Sequence, residues 1–338
     1  IDVQGADFTS LSKPDPANLI RSVNSASFPT AMGADSVGNI YFLGSSTGIT
    51  KVAPDGVISN IPAPGSSIRG TLPIDAQGNL YVAVNTTPVR IYREAPDGTQ
   101  TQIGTPTDAV RSMVLSSRNE LFLLHNSKVT KLQMDGTLSI VTTSGVNTPY
   151  SMTIDGHDNL YVQNQSGFTN PDGTFGHVIT KITPDGQVSV FLTEASFEME
   201  GNNIAGDCAD NLFVTPFNWK RVGQAGEEYT IAQVIGRNGQ VARILDGRPI
   251  NADMRAIDFI VYDRFSNNLL IWTDLSGGRI YKLPVTCGAI GADLHVVIPA
   301  GQTTTGFATA PTTTLARADG SIELVWNLKD VAVDGQSI

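Results

Sequence analysis

The chain reads as an all-β protein built as a β-propeller, and three observations predict it. A seven-residue signature, Asp-x-x-Gly-Asn-aliphatic-aromatic, recurs along the sequence. Asp-Gly or Asn-Gly turns follow each copy about twenty residues later, and helical periodicity is nearly absent. The signature reads DSVGNIYF from Asp35, DAQGNLYV from Asp75, SSRNELFL from Ser116, DGHDNLYV from Asp155 and DCADNLFV from Asp207. A looser copy, DRFSNNLLIW, starts at Asp263, and a degenerate one, RADGSIELVW, at Arg317. Subtracting start positions gives steps of 40, 41, 39, 52, 56 and 54 residues. Short strands repeating every 40 to 45 residues or so are the mark of propeller blades.

Each blade follows from its residues in order. Asp and Gly-Asn make the first turn, because these residues tolerate the backbone conformations a tight turn needs. Leu-Tyr-Val or its equivalent then starts a strand. The second landmark appears as KVAPDGVIS around Pro54, REAPDGTQT around Pro96, KLQMDGTLS around Met134, KITPDGQVS around Pro184 and VIGRNGQVA around Arg237. Asp-Gly between alternating apolar stretches is a strong hairpin signal. One unit is therefore strand a, turn, strand b, loop, strand c, Asp-Gly turn, strand d. Four antiparallel strands make a blade. Residues 194–200 offer at most one turn of helix.

The ends of the chain bear on the blade count. The head, FTSLSKPDPANLIRSV from Phe8, mirrors KVAPDGVIS and supplies strands c and d; the tail, TTTLARADGSIELVWNL, supplies a and b. Joined, they predict a seventh blade shared by the N- and C-terminal strands, which leaves no open sheet edge. Six blades are the alternative, with the last segment an appendage. The whole of 1–338 is expected to be one domain, with 328–338 a tail or a linker to a further segment.

Composition narrows the partners. The chain has 338 residues, 22 basic against 32 acidic side chains and a net charge of −10. That surface repels phosphate backbones and anionic lipid, so neither nucleic acid nor membrane insertion is expected. No apolar run approaches the length of a membrane-spanning helix. Few lysines and many hydroxyl and amide side chains, with a chain opening on Ile1, suggest a secreted, periplasmic or cell-surface protein. Cys208 and Cys287 match no zinc spacing. They form either one disulfide, which suits an oxidising compartment, or two separate buried thiols.

The repeats resemble those of NHL-type propellers. The ring is similar to a wider superfamily that includes virginiamycin B lyase-like and gluconolactonase-like propellers. The resemblance covers nearly the whole chain but rests on blade-building residues, so it implies fold far more than activity. A gluconolactonase-like site would hold a divalent cation through a glutamate, an asparagine and an aspartate. Only Glu200 and Asn202, in Glu200-Gly201-Asn202-Asn203, approach that set, with Ca or Mg as the implied ion. Arginines at the other mouth positions oppose a cation, and the leading expectation is no metal and no cofactor. A lyase-type site needs a histidine before strand a. His125, His157, His177 and His295 do not fall there, although His177 closes the blade-four insertion within reach of the mouth.

Blade topology assigns the faces. The a–b and c–d turns share one face and are short. The d–a and b–c loops share the other and vary, with insertions at 164–177 and 215–230, so binding is expected there. Residues just before strand a should ring the channel mouth on that face: Thr30, Arg69, Arg111, Tyr150, Asn202 and Arg255. Three arginines in a chain so poor in basic residues suit a carboxylate or another anionic group. The competing reading pairs them with Glu200, Asp108 or Asp253. Phe217, Trp219 and Tyr229 suit stacking on a sugar or peptide, or packing of their own loop. Gly44-Ser45-Ser46-Thr47-Gly48 fits a nucleophile-elbow pattern but lies between strands, where that device does not work. Asn170-Pro171-Asp172-Gly173-Thr174 lacks the spacing of a calcium loop.

The expected function is capture of a protein, sugar or small anionic ligand, without established catalysis. The expected ligand set is Arg69, Arg111, Tyr150, Asn202, Arg255 and Trp219. A metal-assisted lactonase or lyase, and a structural surface or matrix module, are the alternatives.

Overall fold

The computed structural model describes residues 19–20, 29–44, 48–62, 68–169, 175–193, 203–208, 210–214, 220–221, 228–229, 231–235, 241–246, 257–273, 279–285, 293–298, 313–316 and 322–327. Among the described residues every regular element is a strand, and no helix is long and apolar enough to cross a membrane. After β1 (Leu19–Ile20), the first repeat supplies β2 (Ala31–Ala34), β3 (Ile40–Leu43), β4 (Ile49–Val52) and β5 (Ile58–Ile61). The second supplies β6 (Gly70–Thr71), β7 (Leu80–Val84), β8 (Arg90–Glu94) and β9 (Gln100–Gly104). The third supplies β10 (Ser112–Leu115), β11 (Leu121–Leu124), β12 (Val129–Leu132) and β13 (Leu138–Thr142). The fourth supplies β14 (Pro149–Ile154), β15 (Leu160–Thr169), β16 (Phe175–Ile182) and β17 (Val188–Thr193). The fifth supplies β18 (Ile204–Gly206), β19 (Leu212–Val214), a small hairpin of β20 (Lys220–Arg221) and β21 (Glu228–Tyr229), β22 (Ile231–Ile235) and β23 (Val241–Asp246). The sixth supplies β24 (Ile257–Asp263), β25 (Asn268–Thr273) and β26 (Arg279–Pro284); β27 (Asp293–Ile298), β28 (Thr313–Ala316) and β29 (Ile322–Asn327) end the described chain.

Within each of the first six repeats the paired strands are antiparallel and follow sequence order, as the repeat predicts. Five sheets have four or five strands. The second repeat appears as a three-stranded sheet of β7 to β9. Its inner edge is continued by the Ile74–Leu80 bridge and by Tyr81 N–H donating to the Pro73 carbonyl at 3.1 Å. The architecture is all-β and propeller-like.

The turn signature explains why the repeats fold alike. At Asp35 one carboxylate oxygen accepts from the amides of Val37 (3.1 Å) and Asn39 (2.9 Å). The other accepts from Asn39 Nδ2 (2.6 Å) and from the Tyr41 hydroxyl (2.9 Å). Asp75 and Asp155 repeat the arrangement with Asn79 and Tyr81, and with Asn159 and Tyr161. A buried carboxylate is tolerable only with such a full set of donors. The residue before Asn39 or its counterpart has positive φ: Gly38 at 87°, Asn119 at 61°, Asp158 at 63° and Asp210 at 66°. Only Gly, Asn and Asp adopt that conformation readily, which is why only they occupy the position.

Apolar strand faces pack between neighbouring blades. Phe122, Val114, Met152 and Val162 join blades three and four, and Tyr161, Ile179, Ile204 and Val214 join four and five. Met32 and Phe42 of the first blade pack with Phe259, Val261 and Trp272 of the sixth. Each such buried side chain contributes roughly 1.5–3 kcal/mol. The inner strands approach closely: β2 runs parallel to β6, and a Cβ on Gly33 would lie 2.4 Å from the Leu72 carbonyl oxygen. β24 packs against both β18 and β2.

The predicted shared terminal blade is corrected. β1 pairs antiparallel with β26, Leu19 opposite Tyr281 and Ile20 opposite Ile280. β28 and β29 instead pair in a separate three-stranded sheet with β27. The head does supply an outermost strand, but to the sheet of the Asp263 repeat. Among the described residues that sheet has β24 to β26 of its own, and β26 takes β1 as its outer partner. The tail meets β27 first, the strand nearest to it in sequence.

Candidate functional site: two ends of the propeller axis

Four predicted mouth residues occupy equivalent places, Thr30 directly preceding β2. Arg69 directly precedes β6, Arg111 directly precedes β10, and Tyr150 is the second residue of β14. The Arg69 amide donates to the Arg111 carbonyl at 2.7 Å, so the two arginines are neighbours across the blade junction. Arg69 is exposed; Arg111 and Tyr150 are half-buried. Arg111 Nε donates to Asn126 Oδ1. Asp108, one expected partner, is held by Lys128 at 2.6 Å, and among the described residues no carboxylate lies within 4.0 Å of either arginine. The His177 ring centroid is 5.9 Å from that of Tyr150, so the histidine does reach this face. Asn202, Arg255, Trp219 and the alternative metal ligand Glu200 lie outside the described residues, as do Asp253 and Phe217.

Below these side chains the axis narrows to a polar neck. A Cβ on Gly70 would lie 3.4 Å from both Asn203 Nδ2 and Ser112 Oγ, and 3.6 Å from Ser151 Cβ. Asn203 is fully buried, and neither its amide nitrogen nor its amide oxygen has a hydrogen-bond partner; the Thr30 hydroxyl is likewise buried and unpaired. Asn203 stands beside Gly70, Ser112 and Ser151, each the residue after an expected mouth residue, and Asn202 itself lies outside the described residues. A divalent cation fits the described part of this face poorly. The amide oxygen of Asn203 is a single neutral donor, the arginines next to it repel cations, and no cluster of three His, Cys, Asp or Glu occurs among the described residues.

His125 is structural. It is buried, with Nδ1 3.1 Å from the Ala109 carbonyl and Nε2 2.9 Å from the Thr130 hydroxyl. Burial holds its pKa below the usual histidine value.

The opposite end of the axis holds a cavity of about 240 Å³. Its walls include the last residues of five strands, Ala34, Leu115, Ile154, Gly206 and Asp263, and Ile74 of the Ile74–Leu80 bridge. Arg264 reaches across it from blade six. Its NH2 donates to the Ile74 carbonyl at 3.1 Å, and its NH1 lies 3.3 Å and 3.4 Å from the carbonyls of Ser116 and Leu115. The guanidinium also lies over the Phe265 ring, 5.1 Å from its centre. Sequence reading assigned this face to short structural turns. Nothing in DRFSNN distinguishes an arginine that crosses the axis from one that points to solvent.

Cys208, at the rim of this cavity, is disulfide-bonded, and the sequence offers Cys287 as its only partner.

Comparison with known proteins adds one fact. No family model matches the chain, and no curated protein matches it. Virginiamycin B lyase from Staphylococcus aureus superposes with a TM-score of 0.52 at 13% identity, over 79% of this chain and 98% of that one. A gluconolactonase from Xanthomonas campestris gives 0.57 at 13%, over 84% and 96%. A putative gluconolactonase gives 0.56 at 14%, over 82% and 97%. What they share with this chain is the propeller. The expected resemblance to that superfamily holds at the level of fold, and at such identities fold does not carry function with it.

Proposed function

We propose that this chain is an exported propeller that captures a small anionic ligand on the face where its inner strands begin. One observation carries the reading: Arg69 and Arg111 are neighbours at that mouth while Asp108, one of their three expected partners, is taken by Lys128. Guanidinium groups present paired donors that match carboxylate or phosphate oxygens. Tyr150 and His177 add hydrogen-bonding edges and a ring surface beside them. Asn202, Arg255 and Trp219 belong to the same proposal on sequence grounds. The disulfide at Cys208 supports export, since such bonds persist in oxidising compartments. Six blades are the count this reading adopts, the packing of β24 against β2 being its support and the sheet of β27, β28 and β29 standing outside the ring. No catalytic role is assigned.

The test is calorimetric titration with a panel of small carboxylates and phosphate monoesters, on the parent chain and on an Arg69→Ala, Arg111→Ala variant. The variant should melt normally, because neither side chain is in the core, and should lose at least tenfold in affinity for whichever anion binds. Equal affinity in the two proteins would remove the arginines from the site.

A further inference from the structure

The cavity at the other end of the axis carries an inference independent of the one above. Two opposite charges line it without touching. The Arg264 guanidinium contacts only carbonyl oxygens and the Phe265 ring, and no carboxylate lies within 4.0 Å of it among the described residues. Its three bonds to carbonyls use only part of its five N–H donors, and two of the three are long. Burial is the largest influence on this group and lowers its pKa, while Asp75 and Asp158 act in the opposite sense through space. Asp158 also lines the cavity, and its carboxylate is pinned by the Ser117 amide at 2.8 Å and the Ser117 hydroxyl at 2.7 Å. Each of its oxygens keeps a free acceptor position.

The rest of the lining is mostly apolar, with Pro73, Leu115, Ile154 and Phe265 among it. At about 30 Å³ per water in the liquid, a 240 Å³ cavity holds the volume of about eight waters, which is amino-acid size. A simple anion would meet Arg264 but also the Asp158 carboxylate, whereas Asp155 and Asp207, also in the lining, turn their carboxylates to donors of their own turns. A simple cation would meet Asp158 but also Arg264. A molecule with both charges satisfies both walls, and its aliphatic part covers the apolar ones. We propose that this funnel binds a small zwitterion, its carboxylate on the Arg264 guanidinium and its ammonium facing Asp158.

Glycine, β-alanine and 4-aminobutyrate provide zwitterions of increasing span; butyrate and butylammonium carry one charge each. Calorimetric titration of the full chain should show binding for at least one zwitterion, with both single-charge probes at least tenfold weaker. Arg264→Lys keeps the charge but loses the planar fork, and Asp158→Asn keeps an acceptor for the Ser117 amide but loses the charge. Each should weaken the zwitterion at least tenfold, whereas the Arg69→Ala, Arg111→Ala variant should bind it as the parent does. That last arm separates failure here from failure of the anion site. Should Arg264→Lys not fold, as a melting curve would reveal, Asp158→Asn decides alone. The proposal is overturned if no zwitterion binds, if butyrate or butylammonium binds equally well, or if affinity is unchanged in the folded variants.

Discussion

Replacing Asp75 by Ser is the sharpest probe of how the repeat turn works. Its carboxylate accepts four hydrogen bonds, from the Gln77 amide (3.0 Å), the Asn79 amide (2.9 Å), Asn79 Nδ2 (2.7 Å) and the Tyr81 hydroxyl (3.0 Å). A serine hydroxyl can serve the two main-chain donors, as Ser116 does in blade three for Arg118 and Glu120 at 3.2 Å and 3.1 Å. It cannot also reach the tyrosine hydroxyl and the asparagine amide. Both donors are buried, and each loses a charged acceptor at a cost of roughly 1–3 kcal/mol, so Asp75→Ser should destabilise by about 3–4 kcal/mol. Tyr81→Phe removes one donor and leaves the carboxylate with three, which should cost about 1 kcal/mol. In the double variant the phenylalanine deletes a donor the serine would have orphaned. The pair should then cost about 1–2 kcal/mol less than the sum of the singles, as coupled neighbours do. Blade three already carries this combination, Ser116 with Phe122. Urea unfolding of the four proteins measures the cycle, with an unchanged m-value required for a valid comparison. Strict additivity, within about 0.5 kcal/mol, would refute the claim that the tyrosine is what obliges the turn to keep its aspartate.

Two further outcomes follow from buried groups. His125 has a folded pKa depressed by burial, so the unfolded chain takes up its proton first as pH drops below about 6.5. Stability should therefore fall as pH falls from there toward the folded value, by up to about 1.4 kcal/mol per pH unit, and His125→Gln should flatten that slope in melts taken across the window. Reduction of the disulfide at Cys208 frees a loop running to Cys287 and should cost about 4 kcal/mol on the chain-entropy account; melts with and without a thiol reductant read it, and an unchanged midpoint would show that the link does not constrain the unfolded chain.

The architecture was legible because its cause is local. In blades one, two and four one aspartate organises the turn through donors two, four and six residues away, so the pattern repeats in plain view. Ring closure is not local. The head does resemble a c–d hairpin, and Leu19 and Ile20 do form an outer strand, but which open edge they join depends on β26, some 260 residues away by subtraction. Periodicity gives strand type and cannot give that partner. The arginines were placed because strand starts can be counted back from each turn. Asn203 follows an expected mouth residue, and nothing in the sequence marks its buried amide as unpaired. The funnel left no trace at all, since Arg264 is held by main-chain carbonyls, and any residue supplies those.

The same accounting explains why charge on the axis is concentrated at so few places. Asp35, Asp75 and Asp155 direct their carboxylates at donors within their own turns, so those charges are already met and offer little to a ligand. What remains is the charge the turns do not use: Arg69 and Arg111 at one end, Arg264 and the pinned Asp158 at the other. Between them, at Gly70, Asn203 Nδ2 and Ser112 Oγ lie 3.4 Å and Ser151 Cβ 3.6 Å from where a Cβ would stand. Main-chain bonds such as Gly70 N–H to the Thr30 carbonyl at 2.9 Å and Leu72 N–H to the Met32 carbonyl at 2.8 Å hold the inner strands together here. The two proposed sites lie on opposite sides of these bonds, and occupancy of either should leave the affinity of the other unchanged.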